Sequence, residues 1–100
     1  MALYPVATIH DIPLGEGRPF EVNGKQIAVF NVNGKFHAIA NTCPHRGGPL
    51  GDGQLSGKTV TCPLHSWEFD VETGDCVSPG AGCVKTYPVE VRGEDVLVDL

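Results

Sequence analysis

Apolar positions along the chain come in short runs that alternate with polar ones, each the length of a β-strand and none the length of a helix. They cover residues 3–9, 19–22, 26–32, 35–40, 58–61, 67–71, 84–91 and 96–100. Between them stand Asn23-Gly24, Asn33-Gly34, Thr73-Gly74 and Gly93-Glu94-Asp95. The Asn-Gly pairs predict tight hairpins, because both central residues of a type I′ turn need positive φ. Only residues 10–17 are predicted to make a brief helical turn, with Asp11 as its cap and Pro13 and Gly15 keeping it short. The pattern predicts an all-β chain of short strands and tight turns.

Residues 41–57 break the alternation. They pack Gly47, Gly48, Pro49, Gly51, Gly53 and Gly57 into a loop that can wrap closely around something. No internal repeat, low-complexity tract or linker divides the chain, so residues 1–100 are predicted to form one domain.

Composition narrows the function classes. Seven basic residues against twelve acidic ones give a formal charge of -5 without any basic run, which repels nucleic-acid phosphate. The start, Met1-Ala2-Leu3-Tyr4-Pro5, has no basic segment followed by an apolar one, and no window approaches the roughly 20 apolar residues of a spanning helix. The expectation is a cytoplasmic protein without membrane attachment. Four cysteines in a reducing compartment favour metal ligation or burial over a disulfide framework.

The chemistry concentrates in Cys43-Pro44-His45 and, sixteen residues on, Cys62-Pro63-Leu64-His65, each pairing one thiol with one imidazole. The longer stretches from Cys43 to Leu50 and from Cys62 to Asp70 resemble the two cluster-binding boxes of the Rieske iron-sulfur family. Residues 18–40 resemble that family's hairpins before the first box, and residues 84–100 its closing strands. The resemblance implies the Rieske fold, three small antiparallel sheets with the cluster held by two loops at one tip. It also implies one [2Fe-2S] cluster on Cys43, His45, Cys62 and His65, with the two thiolates on one iron and the two imidazoles on the other.

Departures from the family pattern bear on the branch. Rieske proteins of cytochrome bc complexes carry an extra cysteine in each box, joined as a disulfide; those positions here hold Gly48 and Leu64. Serine and tyrosine hydroxyls of the same branch are replaced by Trp67 and Phe69. Without such donors the expected potential lies in the lower part of the roughly -150 to +300 mV Rieske range. Two Cys and two His also suit a structural zinc ion, but zinc fingers usually pair like with like, whereas each box here mixes the two.

Other residues have plainer expectations. His10 and His37 have no cysteine neighbour and are assigned to surface or packing. Arg46 is expected to pair with an acid near the loops or to face a partner, and Trp67 to pack in the core and shield the site from water. Cys76 and Cys83 are expected to pack as small apolar groups rather than as a disulfide. Asp52, Glu68, Asp70, Glu72 and Asp75 are expected to form a solvated face.

No nucleotide-binding glycine fingerprint is present, and with two histidines assigned to the cluster only His10 and His37 remain, so a mononuclear iron site is not expected and catalysis is assigned to partner proteins. The resemblance implies an electron carrier and not an enzyme. The resemblance implies single-electron transfer from a flavin-containing, NAD(P)H-dependent reductase to a terminal aromatic-ring-hydroxylating oxygenase. The alternative is the small subunit of an assimilatory nitrite reductase, partnered by its sirohaem large subunit. An alternative of another class is a structural zinc module.

Overall fold

The computed structural model describes residues 3–43, 48–63, 67–77 and 83–100. Among them run ten strands: β1 (Leu3–Thr8), β2 (Gly17–Val22), β3 (Lys25–Val32), β4 (Lys35–Ala40), β5 (Gln54–Ser56), β6 (Thr59–Thr61), β7 (Glu68–Asp70), β8 (Thr86–Tyr87), β9 (Val89–Arg92) and β10 (Asp95–Asp99). They pair into three antiparallel sheets, ordered β1-β10-β9, β2-β3-β4-β8 and β5-β6-β7. The architecture is the all-β one expected. Among the described residues, no helix is long and apolar enough to cross a membrane.

The central sheet takes shape from its two Asn-Gly turns. Asn23 and Gly24 have φ of 52° and 79°, and Asn33 and Gly34 have 53° and 90°, the paired positive values that a type I′ turn requires. Asn31 then ties the second hairpin to the preceding connection. Its amide donates to the Ile12 carbonyl at 2.8 Å, and its Oδ1 accepts from the Gly34 N–H at 2.8 Å.

Strand β3 is apolar on both faces and separates two cores. Ile27 and Val29 join Ile12, Ala38, Val96 and Val98 on the side of β10. Ala28 and Phe30 join Ile39, Leu50, Val60, Phe69, Val71 and both box cysteines on the other side. The four β3 residues are fully buried, and each larger one contributes about 2 kcal/mol of transfer free energy.

Three expectations change. Residues 10–17 form turns and no helix: Asp11 accepts a hydrogen bond from the Thr8 N–H, and Ile12 drops into the core, which leaves no room for a continued helical turn. The apolar run 84–91 is two strands. Pro88 has no N–H to continue a ladder, and here the chain passes from β8, paired with β4, to β9, paired with β10. Strand β5 lies inside the glycine-rich stretch and turns into β6 through Gly57 at φ 61°. With Leu55 its sole apolar residue, it lacks a readable alternation.

Candidate metal centre

Two loops leave this framework, and each begins at a box cysteine. The first continues from β4. Asn41 donates its backbone N–H to Gln26 (3.0 Å), its carbonyl accepts from the Leu50 N–H (2.7 Å), and the Cys43 N–H donates to the Gly48 carbonyl (2.9 Å). Thr42 bridges Pro49 between these bonds. The second loop tops the β6–β7 hairpin, in which Thr61 pairs with Glu68 and the Cys62 N–H donates to the Trp67 carbonyl at 2.7 Å. Each neck is thus closed by a cysteine N–H bonded to the carbonyl five residues on.

The first neck has a further support. Asn41 is buried, and its Oδ1 accepts from the Gly51 N–H at 2.7 Å. Gly51 lies in a 3-10 turn, Leu50–Asp52, packed so closely on β2 that a Cβ there would sit 2.6 Å from the Pro19 nitrogen. A glycine is required for that approach. Asn41 was not singled out in the sequence; its one visible signal is a polar residue at the end of an apolar strand.

Cys43 and Cys62 are each 2 % exposed and belong to one apolar cluster with Leu50, Val60 and Phe69, against which Trp67 also packs. Cys43 forms no disulfide. Two soft donors, brought from separate loops into a dry wall and not joined as a disulfide, could supply the thiolates of a metal centre. His45 and His65 lie outside the described residues, as do Arg46 and Leu64. Among the described residues, no three His, Cys, Asp or Glu converge on a point that could hold a metal ion. Phe69 is fully buried and has no polar atom to donate, and Trp67 is half-buried in the position expected of a shield.

Beside the second loop, residues 75–77 run along β7. Cys76 bridges Phe69, the Val77 N–H donates to Glu68 (2.8 Å), and the Asp70 N–H donates to Asp75 (2.8 Å). Cys83 bridges Asp75, the residue next to Cys76. Successive side chains on an extended strand point to opposite faces, so Cys76 turns toward the core while Cys83 turns to solvent. This accounts for the half-buried Cys76 and the exposed Cys83, which forms no disulfide. The expected burial is met by Cys76 and not by Cys83.

Asp70 also departs from a merely solvated acid. Its Oδ1 accepts from the N–H groups of Glu72 (2.8 Å) and Thr73 (3.2 Å), and Lys58 stands 3.5 Å from Oδ2. Burial alone pushes this carboxyl up. The two backbone donors and the Lys58 ammonium together outweigh it and hold the carboxyl below its ordinary range. Asp52, Glu72 and Asp75 are exposed as expected. His10 is exposed and 3.2 Å from Glu94, whereas His37 is half-buried beside a groove of about 340 Å³.

The Rieske [2Fe-2S] domain profile matches residues 2–88. The ferredoxin component of the naphthalene 1,2-dioxygenase system of Pseudomonas aeruginosa is 39% identical over 93 residues, covering 92% of this chain and 89% of that protein. A chain of the complex of reduced oxygenase and oxidised ferredoxin in carbazole 1,9a-dioxygenase superposes with a TM-score of 0.89 at 32% identity, covering 96% of this chain and all of that one (100%). The small subunit of an NADPH nitrite reductase superposes with a TM-score of 0.85 at 21% identity over 100% of both chains, a likeness of fold alone.

Proposed function

Because the chain belongs to the Rieske [2Fe-2S] domain family, we propose that it is the ferredoxin component of a multicomponent aromatic-ring dioxygenase system. Members of this family hold one Rieske-type [2Fe-2S] cluster, which takes up and gives back a single electron. The chain is an electron carrier and not a catalytic subunit. In our reading Cys43 and Cys62 hold one iron, His45 and His65 hold the other, a flavin-containing reductase supplies the electron and a terminal oxygenase receives it.

The chain's own part is positional. The paired neck bonds hold both cysteines at the loop bases, and Leu50, Phe69 and Trp67 keep water from their sulfurs. A dry shell with few donors favours the more oxidised, less negative charge state, hence a potential in the lower part of the roughly -150 to +300 mV range. Direct redox titration checks this, and a value near the upper end contradicts it.

The observation that carries the reading is the 39% identity to a dioxygenase ferredoxin component across nearly the whole of both chains. The nitrite reductase alternative has only the shared fold behind it, and the family's own cofactor leaves no place for the zinc alternative. Anaerobically prepared protein, mixed with the reductase and oxygenase of a naphthalene 1,2-dioxygenase system in place of their own ferredoxin, is expected to restore oxygenated product formation. A preparation lacking iron and acid-labile sulfide, or one that accepts no electron from dithionite, defeats the proposal.

A further inference from the structure

The cations of this acidic chain are unevenly compensated. Arg18 lies 2.9 Å from Glu16, Lys58 pairs with Asp70 and Glu72, and Arg92 pairs with Glu90. Lys25 and Lys85 do otherwise. Like Lys35, neither has a carboxylate partner among the described residues, and unlike it both place their ammonium groups over one aromatic ring, that of Tyr87, at 5.9 Å and 5.3 Å from its centroid. Like charges are not expected to converge on one ring unless it or an incoming anion compensates them, and a tyrosine face at an exposed site offsets them only weakly.

The local pleat turns Glu21 away, and Glu72, which lines the groove beside Tyr87, faces Lys58. Lys25 pairs with Val22 across the β2–β3 ladder, while Glu21 pairs with Gln26, so Glu21 projects from the opposite face. Tyr87 is fixed by its pairing with Ala38 and is half-buried against the β10-side core, so its ring is a firm platform. The two lysines also straddle the root of the first loop. The Ala40 N–H donates to the Lys85 carbonyl at 2.8 Å, and the Asn41 N–H donates to Gln26, the neighbour of Lys25, at 3.0 Å.

We infer that Lys25, Lys85 and Tyr87 form a docking patch for a carboxylate-bearing surface of a redox partner, at the end of the central sheet where β4 leads into the first loop. The occupant is an acidic protein surface: the patch pairs uncompensated cations with an aromatic face, whereas the rest of a chain of charge -5 repels acid. The inference rests on the electron-carrier reading.

The test uses the cluster-loaded protein at low ionic strength. Wild type, the double variant Lys25→Gln/Lys85→Gln and a charge-matched control, Lys35→Gln/Arg92→Gln, are reduced and then mixed with ferricyanide or with hexaamminecobalt(III) in a stopped-flow instrument. Oxidation by the anion is expected to slow about tenfold in the Lys25/Lys85 variant and markedly less in the control, with both differences fading in high salt. Oxidation by the cation should not slow. In the naphthalene 1,2-dioxygenase assay, the same double variant should raise the ferredoxin concentration needed for half-maximal turnover while leaving the maximal rate and the cluster's visible spectrum unchanged. Equal slowing in both variants, or an unaltered concentration dependence in an assay that wild type supports, overturns the patch. Wild type that carries electrons to no oxygenase defeats the carrier reading instead, and the ferricyanide comparison still decides whether the patch attracts anions.

Discussion

The first loop neck and the second are closed by the same kind of bond, yet they draw their rigidity from different distances along the chain. The second is the end of a hairpin: β6, β7 and the adjoining residues 75–77 are close in sequence, and Asp70 fastens the turn between them. The first is held from afar, by Gln26 on β3 beneath Asn41 and by Pro19 on β2 against Gly51. A site assembled this way has one claw that local sequence can form and one that waits for the central sheet. Loop-closure entropy makes the second kind the later and more easily disturbed.

The largest expected effect is one that removes the distinction. Cys43→Ser and Cys62→Ser should each abolish the visible iron-sulfide absorbance, because the proposed cluster takes one thiolate from each and both lie in the same buried wall. Retention of a full cluster by either variant contradicts the ligand assignment. Next comes Gly51→Ala, whose new methyl group meets the Pro19 backbone and cannot be relieved by side-chain motion. A loss of about 2 kcal/mol in chemical denaturation is expected. Asn41→Ala should cost about 1 to 2 kcal/mol by leaving the buried Gly51 N–H without its acceptor. For both, amide exchange should quicken around residues 48–52 and stay unchanged in β6 and β7; equal loosening of both loops contradicts the comparison.

The smallest effect belongs to the second loop. Asp70→Ala removes the acceptor for two turn N–H groups and should cost about 1 kcal/mol. Its pH dependence has a definite sign. The folded carboxyl lies below its unfolded value, so its contribution is present above the ordinary carboxylate range near about pH 4 and fades as pH falls through the folded value. Asp70→Asn, which keeps an acceptor oxygen without a titrating charge, should lack that acid-side component in urea melts measured from neutral to acid pH. An identical pH profile for Asn and Asp contradicts the assignment.

The same contrast of near and far governs what could be read from the residues. Type I′ turns at Asn23-Gly24 and Asn33-Gly34 are local chemistry, and they stand where the dipeptides placed them. Cys43 and Cys62 were legible as a pair of donors because residue type and spacing are properties of the chain alone, and they do meet in one buried cluster. Strand β5 was not, since its place is set by pairing with β6 and only Leu55 marks it. The division of residues 84–91 at Pro88 was visible as a proline but not as a change of sheet, which depends on β4 and β10 lying on either side. Asn41 stayed hidden because its value lies in a bond to Gly51, ten positions on, that exists only once the turn folds back. Cys83 shows the limit of residue-type averages, since its exposure follows from the pleat beside Asp75.

Strand β3 gives both cores a common wall, with Ile27 and Val29 facing one way and Ala28 and Phe30 the other. Neither half of the molecule can therefore melt while the other stays intact, because opening either one strips a face from the same four residues. The end that carries Cys43 and Cys62 and the distal sheet are bound into one cooperative unit, and the amides of Ile27–Phe30 should be the last in the protein to trade their protons for deuterons.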